Sequence, residues 1–327
     1  MARANTKRVV VIQPIHEAGT RLLDERDDVE WEVVTDVSEE NLRERLRDAD
    51  GCTLRSASLP ASVIEAAERM TIVSRHGVGY DSIDVAALTR RRIPLAIAVD
   101  CNAISVAEQA FAFMIATAKR MPQYDQATRA GRWDDIRMCL GQVDLHGRTV
   151  MVVGFGRIGR QIAPRCQAFG MRVLVVDPFV DAGVIREAGF EAVDDIDAAL
   201  PEVDAVTVHT PLNDETRGLL GRDRLTRLKQ GAIVVNCARG GIVDEAALIE
   251  ALDSGHLLGA GLDVFVPEPP QPDHPLFDRD DVILSPHSAG LTLEAGVRSA
   301  VQSVQNVLDT FDGRLDPRVV VNREVLD

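Results

Sequence analysis

The segment from Val150 to Gly170 constrains the fold of this chain more than any other stretch. An apolar, β-branched run leads into Gly-Phe-Gly-Arg-Ile-Gly at residues 154–159, and a helical pattern begins at once. A second apolar run, Arg172–Val176, stops at Asp177, about 20 residues beyond the glycines. This order of strand, tight glycine turn, helix and acidic residue is typical of a dinucleotide-binding βαβ unit.

Each glycine of the turn meets a different steric need. Gly154 allows the tight turn, because a residue without a Cβ tolerates backbone angles that other residues resist. Gly156 lets a pyrophosphate approach the backbone, and Gly159 lets the helix lie close to the strand. With Arg157 and Ile158 between them, the glycines lead into a helix N-terminus whose unpaired N–H groups and positive dipole end favour phosphate.

Asp177 indicates which dinucleotide binds. Its carboxylate can accept hydrogen bonds from both ribose hydroxyls, and its charge repels a 2′-phosphate. The next residues, Pro178 and Phe179, supply no arginine that would neutralise such a phosphate. The sequence therefore favours NAD over NADP as the cofactor.

Composition argues against several classes of protein. A net charge of −15 disfavours nucleic acid and anionic membranes as partners. No apolar run is long enough for a signal peptide or a membrane span, and Val9–Ile12 is far too short. Scattered cysteines without a Cys-x-x-Cys pair suit reduced thiols in the cytoplasm, not a disulfide framework or a metal site; they are Cys52, Cys101, Cys139, Cys166 and Cys237.

Apolar runs alternate with helical patterns before and after the glycine turn, which is typical of parallel, doubly wound sheets. In the first part of the chain the predicted strands are Val9–Ile12, Trp31–Thr35, Gly51–Leu54, Ile72–Ser74 and Pro94–Ala98. The predicted helices there are about His16–Glu25, a helix with Ser38 as N-cap that ends at Arg47, Ala61–Glu68 and Asp84–Arg91.

A long helix is predicted from Ser105 to Arg120, opened by Ser105 and Glu108 as a capping box, and a polar helix over Gln123–Arg132. Alternation then resumes, and a last helix spans Leu293–Phe311. The predicted later strands are Thr149–Val153, Arg172–Val176, Glu191–Val193, Ala205–Thr207, Ala232–Asn236, Leu258–Leu262 and Val282–Leu284.

The predicted fold is α/β, with two Rossmann-like, doubly wound parallel-sheet domains and a cleft between them. The last helix is expected to pack back on the first domain, so that the chain crosses twice, near Asp100–Asn102 and Ser288–Leu291. Residues 1–101 with 290–327 would form a flavodoxin-like, substrate-binding domain. Residues 102–289 would form an NAD-binding Rossmann domain.

Polar residues follow three of the predicted strands, in Asn236–Gly241, Leu262–Pro269 and Ser285–Gly290. Ligands bind beyond the carboxyl ends of the strands in open parallel sheets. These segments are therefore expected to converge on the cofactor.

Motifs over nearly the whole chain resemble one family, the D-isomer-specific 2-hydroxyacid dehydrogenases. The resemblance implies an Arg–Glu–His catalytic set, which falls on Arg239, Glu268 and His287. The motifs that carry it are Gly77–Asp84, Ser105–Glu108, the glycine loop with Asp177, His209–Leu212, Asn236–Gly241 with Val243–Glu245, Asp263 with Glu268, and Pro286–Gly290.

The chemistry of 2-keto acid reduction accounts for these residue types. It needs hydride from the nicotinamide and a proton for the carbonyl oxygen, which His287 can supply and, in the oxidative direction, take back. Glu268 would stabilise the imidazolium. Arg239 would bind the substrate carboxylate and polarise the carbonyl with planar donors that a lysine lacks.

The resemblance also implies a wider set of cofactor contacts. Asp263 would face the nicotinamide carboxamide, and Pro211 would lie on the adenine side. His209 is not expected to transfer a proton, and His274 is interpreted as a surface or packing residue. The cofactor set is Gly154, Gly156, Arg157, Ile158, Gly159, Asp177, Pro178, His209, Thr210, Pro211, Thr216, Cys237, Ala238, Arg239, Asp263, His287, Ala289 and Gly290.

A further group of residues is expected to bind the substrate. The backbone N–H groups of Gly77–Gly79 resemble the family's second carboxylate cradle. Arg55-Ser56 resembles the Arg-Ser of the 3-phosphoglycerate dehydrogenases, and extra cations suit a second anionic group such as a phosphate or sulfonate. The substrate set is Arg55, Ser56, His76, Gly77, Val78, Gly79, Asn102 and Arg239.

These features predict an NAD-dependent D-2-hydroxyacid dehydrogenase, with 3-phosphoglycerate as the leading substrate. A hydroxypyruvate or glyoxylate reductase and a sulfolactate dehydrogenase remain alternatives. An alternative of another class is an NAD-sensing binding protein, because the C-terminal-binding-protein corepressors resemble this fold, although the chain lacks disordered tails for partner peptides. The resemblance also implies a homodimer, with Gln123–Gly147 as the candidate arm.

Overall fold

The computed structural model describes residues 6–139 and 141–326. This part of the chain divides into two compact units, one comprising the chain up to Asn102 and again from Leu291, the other Ala103–Gly290. The strands are β1 Lys7–Ile12, β2 Val29–Val34, β3 Gly51–Leu54, β4 Ile72–Arg75, β5 Leu95–Ile97, β6 Thr149–Val153, β7 Arg172–Val176, β8 Glu191–Ala192, β9 Ala205–Val208, β10 Ala232–Asn236, β11 Leu257–Leu262 and β12 Val282–Leu284.

The α-helices lie between these strands, as the alternation predicts. They are α1 Glu17–Asp24, α2 Glu39–Leu46, α3 Ala61–Ala66, α4 Val85–Arg90, α5 Ala103–Ala118, α6 Met121–Arg129, α7 Trp133–Arg137, α8 Gly159–Ala168, α9 Ala182–Glu187, α10 Ile196–Ala199, α11 Arg222–Leu225, α12 Glu245–Asp253 and α13 Leu293–Phe311.

The first unit is built on a parallel sheet with strand order β2-β1-β3-β4-β5. β1 pairs with both β2 and β3, so that Val11 lies opposite Val33 on one side and Thr53 on the other. Its strands are short apolar runs because helices cover both faces of such a sheet. The winding reverses between β1 and β3, and the carboxyl ends of these two strands are the switch point where a ligand can bind.

Helices close both faces of this first sheet. Leu42 of α2 and Val63 of α3 belong to the core on one face. Leu23 of α1 and Val307 of α13 belong to the core on the other. The last helix therefore packs on the first unit, as predicted from the sequence.

The second unit is built on a larger parallel sheet with strand order β12-β11-β10-β9-β6-β7-β8. Its winding reverses between β6, which precedes the glycine turn, and β9. Phe113 of α5 and Ile162 of α8 belong to the core on one face, and Leu248 of α12 belongs to the core on the other. The two sheets confirm the predicted α/β class.

The helices before β6 differ from the prediction. α5 begins at Ala103, so Ser105 lies inside its first turn and is buried, and the predicted capping box is wrong. Arg120 adopts a left-handed backbone with φ 47°, which ends α5 early, and a proline then opens α6. The short helix α7 was not predicted, because its exposed, mostly polar residues have no apolar periodicity.

None of the helices in the described ranges has the length and apolar character that crossing a membrane requires.

Candidate active site

The glycine turn after β6 contains two glycines at which a side chain would clash with the protein backbone, and a third, Gly156, at which the space is open. Gly154 has φ 96°, and an added Cβ would lie 2.7 Å from the carbonyl oxygen of His209. A Cβ on Gly159 would overlap the carbonyl oxygen of Gly154. A Cβ on Gly156 would meet nothing within 4 Å. The open space therefore lies over the turn, where a pyrophosphate would approach.

Asp177 at the end of β7 holds this turn in place. Its Oδ2 accepts a hydrogen bond of 2.7 Å from the N–H of Phe155, and its Oδ1 accepts one of 2.9 Å from the N–H of Phe179. Each carboxylate oxygen can accept a second bond. Asp177 is thus oriented by the backbone at the position where a ribose would bind, and its predicted ribose contact stays a prediction.

The end of β9, on the other side of the switch point, presents two polar atoms without a protein partner. Nδ1 of His209 and Oγ1 of Thr210 are both shielded from solvent and unpaired among the described residues. Nε2 of His209 lies 2.8 Å from Oγ1 of Thr207. Burial lowers the pKa of His209 to about 3, so its ring is neutral near pH 7.

Thr216 stabilises the loop after β9 through hydrogen bonds within the loop. Oγ1 of Thr216 donates a hydrogen bond of 2.6 Å to the carbonyl oxygen of Pro211 and lies 2.9 Å from the N–H of Asn213. Pro211 is therefore presented on a braced loop. Together with the open glycine turn, the oriented Asp177 and the unpaired atoms on β9, this geometry fits a dinucleotide.

His287 and Glu268, two of the three predicted catalytic residues, are in contact. Nδ1 of His287 lies 2.7 Å from Oε2 of Glu268, and Oε1 of Glu268 accepts a hydrogen bond of 3.0 Å from the N–H of Phe265. The side chains are 49% and 35% exposed, respectively. The pair leaves Nε2 of the imidazole as the nitrogen that can face a substrate.

Asp263 builds the turn that carries His287. Its buried carboxylate accepts hydrogen bonds from Oγ of Ser285 and from the N–H groups of Ser288 (2.8 Å) and Ala289 (2.9 Å). The N–H of His287 donates to the carbonyl oxygen of Asp263 at 2.7 Å. The resulting φ of 51° at His287 is uncommon for a residue with a Cβ, and the surrounding bonds maintain it. The predicted contact of Asp263 with nicotinamide stays a prediction.

Arg239 stands on the loop after β10, which Asn236 organises. Nδ2 of Asn236 donates to the carbonyl oxygen of Arg239 at 2.9 Å, and its Oδ1 accepts from the N–H of Ala238 at 3.0 Å. A Cβ on Gly240 would overlap the carbonyl oxygen of Phe265. The arginine loop and the loop of Glu268 are therefore packed backbone to backbone.

Cys237 and Ala238, which precede Arg239, are buried. Burial, with a smaller contribution from Asp263, raises the pKa of the Cys237 thiol, so it is not a thiolate near pH 7.

Two of the predicted substrate residues, Arg55 and Ser56, lie at the switch point of the first sheet. The guanidinium of Arg55 is exposed, and its Nη1 donates to the carbonyl oxygen of Pro14 at 3.1 Å. The N–H of Ser56 donates to Oε1 of Gln13 at 2.8 Å. Gln13 follows β1 directly, and sequence reasoning passed over it because a lone glutamine carries no pattern.

The remaining substrate residues of this unit follow β4, where Arg75 braces their loop. Its Nε donates to the carbonyl oxygen of Gly79 and its Nη1 to that of His76, both at 2.7 Å. Nε2 of His76 is shielded and has no partner among the described residues. Burial, and more weakly the charges of Arg55 and Arg75, lower the pKa of His76 to about 4. Asn102, the last residue of this part of the unit, is half-buried.

Comparison with known proteins identifies the family to which the chain belongs. Residues 111–289 match the model of the D-isomer specific 2-hydroxyacid dehydrogenase, NAD binding domain. The chain is 37% identical to a glyoxylate reductase of Korarchaeum cryptofilum over 98% of this chain and 97% of that protein. The chain belongs to the D-isomer specific 2-hydroxyacid dehydrogenase family. These findings confirm the predicted family and the predicted cofactor, NAD.

Two further comparisons show how much of the chain is similar to known proteins. The chain is 40% identical to a D-3-phosphoglycerate dehydrogenase of Methanocaldococcus jannaschii over 96% of its own length, and it spans 59% of that relative. A crystal structure of a protein from Thermus thermophilus is 33% identical, with a TM-score of 0.86 over 96% of this chain and 99% of that one. The chain therefore covers about three fifths of the phosphoglycerate dehydrogenases it matches.

Proposed function

We propose that this member of the family catalyses reversible, NAD-dependent oxidation of a D-2-hydroxy acid to the 2-keto acid. The observation that supports this proposal is the contact of 2.7 Å between Nδ1 of His287 and Oε2 of Glu268. A carboxylate on one nitrogen orients the ring and leaves Nε2 to exchange a proton with the substrate hydroxyl.

In the oxidative direction, Nε2 of His287 accepts the hydroxyl proton, and Glu268 stabilises the imidazolium that forms. In the reductive direction the same nitrogen returns the proton to the carbonyl oxygen. NAD, when bound, supplies the hydride acceptor or donor. The guanidinium of Arg239 binds the substrate carboxylate and polarises the oxygen that changes between hydroxyl and carbonyl.

Gly154, Gly156 and Asp177 would hold the cofactor's pyrophosphate and ribose, as the open turn and the oriented carboxylate suggest. In the first unit, the loop Gly77–Gly79 would bind the substrate carboxylate; the N–H of Gly77 donates to the carbonyl oxygen of Arg75 at 2.9 Å, so the N–H groups of Val78 and Gly79 would be its main donors. Arg75 supports this role, because it binds the carbonyl oxygens of this loop with its own donors.

We propose 3-phosphoglycerate as the substrate. Arg55 is an exposed guanidinium at the switch point of the first sheet, and the identity of 40% to a D-3-phosphoglycerate dehydrogenase agrees with a substrate that carries a second anionic group. The identity of 37% to a glyoxylate reductase supports the alternative of a smaller 2-keto acid. A sulfonated analogue such as sulfolactate would use the same cation.

A substrate screen tests the proposal. NADH oxidation is followed by absorbance with 3-phosphohydroxypyruvate, hydroxypyruvate, glyoxylate and sulfopyruvate at matched concentrations. We expect the highest kcat/KM with 3-phosphohydroxypyruvate, and a loss of at least about 100-fold in kcat for His287→Ala with NADH affinity retained. Turnover of His287→Ala at the parent rate would refute the proton-transfer role. Binding of NADH without oxidation by any of the four acids would refute the enzyme assignment.

We also propose a homodimer in the cytoplasm. Met121, Trp133 and Met138 expose apolar surface on and after α6 and α7, which suits coverage by a second copy. All five cysteines are free thiols, as a reducing compartment requires. Sedimentation velocity tests the dimer, and a species of 35.6 kDa at micromolar concentration would contradict it.

A further inference from the structure

Glu268 stands on a long loop without helix or strand, between β11 and β12. Its carboxylate is about one third exposed and is oriented by two bonds, one to Nδ1 of His287 and one from the N–H of Phe265. The direction in which this N–H points is set by the backbone of the loop. Whatever holds that backbone therefore holds the carboxylate against the imidazole.

Glu245, the first residue of α12, reaches this backbone at the next peptide. Its Oε1 accepts a hydrogen bond of 3.1 Å from the N–H of Val266. The preceding N–H, that of Phe265, is the one that binds Glu268. Two consecutive N–H groups thus bind two carboxylates, one from a rigid helix and one from the candidate catalytic pair.

His274, farther along the same loop, binds the other oxygen of Glu245. Its Nε2 lies 3.1 Å from Oε2 of Glu245, and its Nδ1 accepts from the N–H of Leu276 at 3.4 Å. Because Nδ1 accepts, the hydrogen-bond pattern assigns the proton of the neutral ring to Nε2, which donates it to Glu245. The two side chains are only 11% and 20% exposed, so solvent competes little for this bond.

Aromatic packing also holds this segment. The ring of His274 lies 5.8 Å from that of Phe265 and 5.4 Å from that of Phe277, and the two phenylalanine rings are 6.2 Å apart. Phe265 meets both other rings edge-to-face, with interplanar angles of 78°, and such contacts favour one arrangement of the rings. Phe265 is therefore held through its ring by His274 and through its neighbouring peptide by Glu245.

We propose that Glu245 and His274 are positioning residues that set the orientation of Glu268 toward His287. The proposal rests on the acid–base role given above to His287 and Glu268. Neither positioning residue touches a reacting atom. Their effect passes through the backbone at Phe265 and Val266, so their loss is expected to lower kcat and to leave the glycine turn and NADH binding untouched.

A double-mutant cycle tests this. Glu245→Gln keeps an oxygen for the N–H of Val266 but sets an amide N–H against that of His274, so we expect kcat to fall roughly tenfold with an unchanged Kd for NADH. In a Glu268→Gln background the same change should alter kcat by less than about twofold, because no carboxylate remains to be positioned. Equal losses in both backgrounds would show a merely structural role and overturn the proposal.

Two substitutions at His274 keep the test decisive if Glu245→Gln proves unstable. His274→Phe retains an aromatic ring but removes the N–H, whereas His274→Gln retains an N–H near the position of Nε2. His274→Phe should lower kcat, because its ring can stay against Phe265 while the N–H that binds Glu245 is lost, and a parental kcat for this variant contradicts the proposal. His274→Gln should lower kcat through the loss of the ring packing on Phe265, and a parental kcat for it contradicts the role given to that packing.

Glu250→Gln is the matched control, because Glu250 lies on the same helix and pairs with Arg222 at the surface. Its kcat is expected to equal that of the parent, and a loss matching that of Glu245→Gln would overturn the proposal. Parental turnover of His287→Ala would instead refute the proton-transfer role itself, so the two failures are distinguishable.

Discussion

The two parallel sheets reverse their winding in the same way, yet the loops at the two switch points are built differently. After β6 the turn is rich in glycine and open over Gly156. After β1 stands Gln13, whose Oε1 accepts from the N–H groups of Ser56 (2.8 Å) and Ala57 (2.9 Å). In the first unit, a protein side chain already uses the N–H groups that a phosphate would bind.

The helices after these loops also differ in whether a protein side chain caps their N-terminus. Nδ1 of His16 caps α1 by accepting from the N–H of Ala18 at 3.1 Å. The N-cap residue of α8 is Ile158, whose side chain has no acceptor. A helix N-terminus without a side-chain cap favours an external anion. Sheet topology therefore provides a place for a ligand, whereas the residues after the strand decide its chemistry.

The largest expected effect comes from closing the open turn. Gly156→Val adds a side chain that begins in empty space, so the fold is retained while the pyrophosphate is excluded. We expect the Kd for NADH, measured by fluorescence titration, to rise about 100-fold or more.

Gly296→Val is the matched control, because Gly296 in α13 of the first unit also has nothing within 4 Å of an added Cβ. Its Kd for NADH should equal that of the parent. An unchanged Kd for Gly156→Val would show that the second switch point does not bind the pyrophosphate.

An intermediate effect is expected at the first switch point. Arg55→Ala removes an exposed guanidinium that could bind a second anionic group of the substrate. A charge-assisted hydrogen bond of this kind contributes about 1.5–3 kcal/mol to binding. We expect kcat/KM for 3-phosphohydroxypyruvate to fall at least about tenfold more than that for glyoxylate, with NADH binding unchanged. Arg43→Ala, an exposed arginine on α2, is the control. Equal losses with both acids would remove the reason for proposing a dianionic substrate.

The smallest effect concerns the choice between the two dinucleotides. Asp177→Asn removes the charge that repels a 2′-phosphate but keeps an oxygen that can accept from the N–H of Phe155. We expect the preference for NADH over NADPH, measured as a ratio of kcat/KM values, to fall about tenfold. A ratio equal to that of the parent would count against the ribose role of Asp177.

The sequence predicted the parts of the fold that depend on short-range pattern. Alternating apolar runs located the main strands of both sheets, and the helix predicted over Asp84–Arg91 is present as α4, with Asp84 accepting from the N–H of Ala87 as its N-cap. The start of α5 was missed, because Ser105 fits a capping box locally while Ala103 and Ile104 already belong to the helix. Local propensity alone does not decide such boundaries.

Short stretches of the sequence specify the glycine turn, because Gly154 has a positive φ of 96° and a Cβ on Gly159 would overlap the carbonyl oxygen of Gly154, five residues earlier. The partners of the side-chain hydrogen bonds that brace the two site loops depend instead on tertiary packing. Gln13 pairs with Ser56 across 43 positions, and Glu245 with His274 across 29. Partners so far apart meet only after the strands and helices between them have packed, and no pattern within either segment specifies the other.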